Sequence, residues 1–208
     1  MILIFLVFGL GNLVFSQTQS DTTTMTYIKY RLDSPGFNEF GKAPREMWRV
    51  SNVEMTSREA VDSANELHQM IIYNPPDFWM VNLYDSTAFH GIDKGPTFYS
   101  FAPIFTFTKS KAYMEFEFGF ELSYVQKRKI VPSVEVISDT LSFHVYEFEI
   151  ENSYINLIVN ANTNLPIKIT AKFEGVVHFV IYEEYMTGLE IDSSVFLPPD
   201  GLVIKETN

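Results

Sequence analysis

Cysteine is absent from all 208 residues, which excludes disulfides, thiolate metal sites and a lipid-modified cysteine behind a leader. Whatever fold forms is therefore held together by burial. Cations are also scarce: 15 Lys and Arg stand against 26 Asp and Glu, a formal net charge of −11. The one basic run, Lys127-Arg128-Lys129, is too short to supply the clustered cations that phosphate contacts need, so nucleic acid is not expected as a partner. Such a run more often forms a solvated loop than a binding patch. No glycine-rich phosphate cradle, dinucleotide fingerprint or G-x-S-x-G elbow occurs, which removes the common signatures of nucleotide enzymes and serine hydrolases. The four histidines, His68, His90, His144 and His178, form no H-x-H or H-E-x-x-H pair, so neither a metal site nor a cofactor is expected.

A membrane-spanning run is missing too. Met1 to Phe15 is apolar apart from Gly9, Gly11 and Asn12, but it is shorter than the roughly 20 residues needed to cross a bilayer. A membrane anchor is the competing reading. Val14 and Ser16 supply the small residues that precede a signal-peptidase cut, so residues 1–16 are expected to be a cleavable export signal, without a permanent anchor. Residues 17–25, rich in threonine, are expected to be a disordered lead-in. The remaining 26–208 is one domain's worth of chain, large enough to bury most of its surface without covalent staples.

What the chain has in plenty is aromatic residues: nineteen Phe and eleven Tyr, a usage that favours pleated, half-buried surfaces. Period-two patterns bounded by turn residues recur. They predict strands at Thr26–Leu32, Arg45–Val53, Met70–Tyr73, Phe78–Tyr84, Thr87–Ile92, Ser142–Ile150, Tyr154–Asn160, Pro166–Phe173 and Val176–Met186. Turns are expected at Asp33-Ser34-Pro35-Gly36, Asn74-Pro75-Pro76-Asp77, Asp85-Ser86 and Asn162-Thr163-Asn164. Met114 to Tyr124 alternates strictly and is also expected to be a strand. Residues 55–68 fit two readings: a helix capped by Thr56 and Glu59, or a strand turning at Asp62-Ser63-Ala64-Asn65. The whole predicts a mainly β fold, one large antiparallel sheet or barrel.

Few residues announce chemistry. In His90-Gly91-Ile92-Asp93 the His and Asp are three apart, so on a strand they share a site only if the chain turns at Gly91. Glu147, Glu149 and Glu151 make a same-face row of the kind a glycosidase could use, and that the solvated side of a sheet also shows. The surplus of large apolar groups is more informative. Phe78-Trp79-Met80 and the cluster Phe98, Tyr99, Phe101, Ile104, Phe105, Phe107 either line an apolar ligand cavity or fill a core.

The C-terminal third resembles LolA/LolB-like exported proteins of Gram-negative bacteria. Thr163, Leu165 and Pro166 match a "T-x-L-P" turn between two strands, and Phe196, Pro198, Pro199 and Gly201 match an "F-x-P-P-x-G" ending. Asn74 to Asp77, followed by a strand and the Asp85-Ser86 turn, is similar to the family's middle hairpin. The resemblance implies an incomplete, strongly curved antiparallel barrel (an α+β half-barrel) whose concave apolar face is covered by short helices. It implies a periplasmic, non-enzymatic carrier with no catalytic residue, holding a lipid or lipoprotein acyl chain and meeting an envelope protein partner. Arg45 and Arg49 are the candidates for the family's carrier-specific arginine. Trp48, Tyr73, Trp79, Phe98, Phe105 and Phe107 are the expected wall residues, as aromatic positions on or beside strands. The rival expectations are an envelope scaffold domain with a filled core and a secreted hydrolase using His90 with Asp93 or a carboxylate pair.

Overall fold

The computed structural model describes residues 24–37, 41–51, 53–62, 67–105, 111–138 and 140–205. The expected signal and most of the lead-in, and with them Phe107, lie outside the described residues. The first strand, β1 (Met25–Asp33), begins at the last lead-in position, with Met25 buried. It is followed by β2 (Arg45–Val50), β3 (Glu54–Asp62), β4 (Leu67–Asn74), β5 (Asp77–Asn82) and β6 (Thr87–Ile92). Then come two short helices, α1 (Lys111–Met114) and α2 (Glu121–Lys127). The chain closes with β7 (Ser133–Ser138), β8 (Leu141–Ile150), β9 (Ser153–Asn160), β10 (Pro166–Phe173), β11 (Val176–Leu189), a single 3-10 turn at Ser193–Phe196 and β12 (Val203–Ile204).

Among the described residues twelve strands form one sheet, in the order β12-β6-β5-β4-β3-β2-β1-β11-β10-β9-β8-β7. Chain neighbours are sheet neighbours throughout two meanders, β1 to β6 and β7 to β11, and the antiparallel β1–β11 pair joins them. Only β12 runs parallel, beside β6. The terminal strands β12 and β7 do not pair with each other, so the sheet is not closed. Residues 55–68 take the strand reading: Met55 pairs with Tyr73 and Ala60 with His68 across a β3–β4 hairpin; of the expected turn at 62–65, Asp62 still belongs to β3 and 63–65 lie outside the described residues.

Strand alternation sorts side chains onto two faces. On β9, Ser153, Ile155, Leu157 and Val159 are buried, and the residues between them are not. The same face carries Ile28, Met47, Ile169, Ala171 and Val180. β6 and β7 lie near opposite edges of the sheet, so the connection 93–132 has to cross it. It does so over this face, contributing Ile104, Phe105, Tyr113, Phe116, Phe118, Tyr124 and Val125 to the same cluster. The opposite face has a smaller cluster, Met25, Val50 and Phe196, packed by the C-terminal segment.

The expected strand over Met114–Tyr124 is not formed. Residues 115–120 are irregular apart from one bridge between Pro103 and Glu117, and α2 then begins. Phe116, Glu117 and Phe118 are all buried, which an alternating half-exposed strand cannot achieve. Gly119 turns the chain at φ +85°, a left-handed conformation that costs a residue with a Cβ about 1–2 kcal/mol. In α2, Glu121, Tyr124 and Val125 are buried at helical spacing.

Candidate functional site

The largest polar assembly in the core fastens the crossing connection to the sheet. Arg49 of β2 projects from the covered face, and its guanidinium is 2 % exposed. Nε donates to the Ser51 carbonyl (3.0 Å), Nη1 to the Phe118 carbonyl (2.8 Å), and Nη2 to the Ser100 carbonyl (2.7 Å) and to Glu117 Oε2 (2.9 Å). The guanidinium also lies over the Phe120 ring. Glu117 accepts from the Ala102 amide (3.0 Å) and from the Tyr99 hydroxyl (2.5 Å). Burial, then this bond to Glu117, pushes the Tyr99 phenol up to about 12. A buried pair of opposite charges with each donor satisfied holds its geometry firmly, so residues 99–103 and 117–120 stand at a fixed height above β2.

Beneath that roof lies a cavity of about 480 Å³. Its floor comes from neighbouring strands: Tyr30 of β1, Arg45 and Met47 of β2, Met55 and Ser57 of β3, Ile71 and Tyr73 of β4, and Phe78 of β5. The pairings Met47↔Ser57, Ser57↔Ile71, Met55↔Tyr73 and Tyr73↔Phe78 place them on one face. Tyr99 to Pro103 and Phe118 overlie it and leave it partly open. Glu46 and Arg58 also border the cavity, but by alternation their side chains belong to the other face, where Glu46 accepts from Tyr27 (2.9 Å) and Arg58 donates to His68 (3.1 Å); they contribute backbone. The wall is thus largely aromatic and aliphatic, and most of its polar groups are engaged, the exception being the Ser100 hydroxyl, which is buried without a hydrogen-bond partner among the described residues. The Tyr73 hydroxyl donates to Asp93 Oδ2 (2.5 Å), Tyr99 to Glu117, and Arg45 Nη1 to the carbonyls of Gly41 and Ala43. The bond from Tyr73, with one from the Gly95 amide, holds the Asp93 carboxyl below its ordinary range.

Of the six wall residues expected from the sequence, the structure brings one, Tyr73, to this cavity. Trp48 and Trp79 project from the opposite face. Trp48 borders a separate hollow of about 380 Å³ under Ser194–Asp200, where Thr56 donates to the Val195 carbonyl (2.7 Å). Trp79 stacks on His90 at 3.9 Å. Phe98 is 38 % exposed, Phe105 is packed in the core rather than in the cavity wall, and Phe107 lies outside the described residues. Alternation from Tyr73 would have found the others. Ile71 shares its parity, and once β4 is paired with β3 and β5, Met55, Ser57 and Phe78 follow; the signal lay in register, which aromatic content alone does not carry. Of the two arginines, Arg45 borders the cavity and Arg49 is engaged in the roof.

His90 does not meet Asp93. Its Nε2 lies 2.6 Å from Asp77 Oδ1 across the β5–β6 hairpin, on the opposite face from Tyr73 and its partner Asp93. Glu147 and Glu149 are exposed on β8, where Glu147 accepts from Tyr154 and Asn156. Among the described residues no group of three or more His, Asp or Glu is arranged to hold a metal ion, and no helix is long and apolar enough to cross a membrane.

By sequence, the chain matches no family model and no curated protein. By structure, it is similar to an uncharacterised conserved protein from Thermus thermophilus, with a TM-score of 0.50 and 6% identity over 88% of this chain and 90% of that one. It is also similar to the LolA superfamily protein NE2245 from Nitrosomonas europaea, with a TM-score of 0.34 and 13% identity over 84% of this chain and 90% of that one. A LolA superfamily protein is thus among the structural neighbours, at a superposition too loose to carry an argument, and the Thermus likeness extends to the fold alone.

Proposed function

We propose that this chain is an exported, periplasmic binding protein, not an enzyme, that shields a hydrophobic ligand, a lipid or a lipoprotein acyl chain, in the cavity between β1–β5 and the crossing connection. In this reading the sheet is a strongly curved half-barrel and the connection with its short helices covers the concave side. The observation that carries the proposal is the roofed, largely apolar cavity of about 480 Å³, a size within the roughly 300–1,000 Å³ typical of single-ligand sites. An interaction domain with a filled interior, the rival reading, has no use for such a space. At ~25 cal/mol per Å² of apolar area, covering one acyl chain contributes several kcal/mol before the cost of ordering it.

Organic extraction of the purified protein followed by mass spectrometry should release a lipid, and the stripped protein should take up a fluorescent fatty acid. Ile71→Trp, which fills the floor, should abolish uptake while the chain stays folded. A lipid-free protein with no uptake, or full uptake by a folded Ile71→Trp variant, would refute the assignment.

A further inference from the structure

The two edges of the sheet are finished differently. At one, β12 is only two residues long, and Lys205 follows it, with Nζ 3.5 Å from Asp85. Short length and a lysine are what keep a sheet edge from recruiting other strands. At the other, β7 runs for six residues, all of them exposed. Val134, Val136 and Ile137 are 60 %, 70 % and 63 % exposed, Glu135 is the only charge in the strand, and no proline interrupts it. Its inner side pairs with β8; among the described residues no strand pairs with its outer side. A strand rich in β-branched residues, with one charge and an open row of backbone donors and acceptors ahead of its irregularity at Val136–Ser138, can pair with another strand.

We propose that β7 pairs antiparallel with β7 of a second copy of this chain, joining two sheets into one across a two-fold axis at Val134. Closure and local charge choose this occupant, and two further features set the register. A strand paired with its own copy makes a closed contact that ends at the dimer, whereas a head-to-tail contact would have to use β12, which is two residues long and guarded by Lys205. Charge selects the register: an axis at Val134 sets Glu135 opposite Ser133, whereas an axis at Glu135 would oppose two carboxylates directly. The axis pairs Ser133–Glu135 of the two copies, within the part of β7 that pairs regularly with β8 and ahead of the irregularity between Val136 and Ser138, and sets Val136 of each opposite Pro132 of the other, where the ladder ends. Lys127 and Lys129 lead into this strand, Arg128 between them being paired with Glu115 (2.8 Å), and the two lysines lessen at this edge the repulsion that a charge of −11 sets up between two copies.

The absence of cysteine makes the geometry directly readable. Val134→Cys should oxidise to a disulfide-linked dimer, because directly opposed strand residues fall within the ~4.4–6.8 Å Cα separation that a disulfide spans. Glu135→Cys and Val176→Cys, the latter on the exposed β10–β11 hairpin, should stay monomeric on a non-reducing gel. The wild-type protein should sediment at twice the monomer mass, and Val134→Lys at the monomer mass with an unchanged circular dichroism spectrum. A wild-type monomer throughout the micromolar range, or crosslinking of Val176→Cys as fast as Val134→Cys, overturns the proposal. A monomer that takes up an unrelated extended peptide along β7 overturns it in favour of a foreign strand.

Discussion

Arg49 and Glu117 lie far apart in the chain yet are 2 % and 3 % exposed in contact, and removing either leaves the other charged, buried and uncompensated. Glu117→Ala is therefore expected to destabilise the fold by about 3–5 kcal/mol, as for other broken buried pairs. The double replacement Arg49→Met with Glu117→Leu should cost less than the sum of the single changes, and urea unfolding of the three variants measures both. Glu121 poses the opposite case. Burial raises its pKa, and the bonds it accepts from Tyr182 (2.6 Å) and Tyr185 (2.8 Å) offset only part of that. The folded state thus holds a proton that the unfolded chain releases at the ordinary carboxylate pKa. Stability falls as pH rises from that value through the folded-state pKa, and levels above it. Denaturation midpoints measured across this range should show the decline in the wild type and lose it in Glu121→Gln.

Among the elements, most strands were legible, β7 and β12 were not, β3 was open between two readings, and the connection was misread. β9 follows its alternation because one of its faces is wholly buried, and β10 because Ile169 and Ala171 of its inner face are buried; the turn between them is as expected, though its anchor is Asn160 rather than the residues of the turn. Asn160 Oδ1 accepts from the amides of Asn162 (2.9 Å) and Thr163 (3.1 Å). Asn160→Ala should cost about 1 kcal/mol, readable in the thermal midpoint. Residues 114–124 misled because a period of two has two causes. Phe116 and Phe118 alternate with Glu115 and Glu117, as in a half-solvated strand, but Glu117 faces inward to meet Arg49, a partner that no local pattern reveals. β7 is not among the expected strands although Val134 and Val136 alternate with Ser133 and Glu135: the alternation is only four residues long and follows Pro132.

On the scale of the whole molecule, the sheet order decides where a ligand can go. Two meanders joined at β1–β11 leave β6 and β7 near opposite edges, so one connection must cross the sheet, and the cavity lies where that connection stands off β2–β5 instead of packing down as it does over β8–β11. The excess of acidic groups acts on the same scale. With a net charge of −11, self-repulsion opposes the compact state and is screened by salt, so the unfolding midpoint should rise between low and physiological ionic strength. A midpoint indifferent to salt would show that the acidic groups are already locally compensated.

The amino-acid sequence by itself determined the class of the fold, the absence of covalent staples, the acidic surface and most strand positions, because each depends on composition or on contacts between near neighbours. Tertiary structure decided which face each strand turns to the crossing connection, and with it that Tyr73 borders the cavity while Trp48 and Trp79 do not. It also placed Arg49 in the roof, Arg45 at the wall and Asp77, rather than Asp93, beside His90. The physical reason is common to all of these: a side chain's face follows from parity once the strand's limits are known, but which residue meets it across the sheet depends on register and on a long connection, and neither leaves a local trace in the chain.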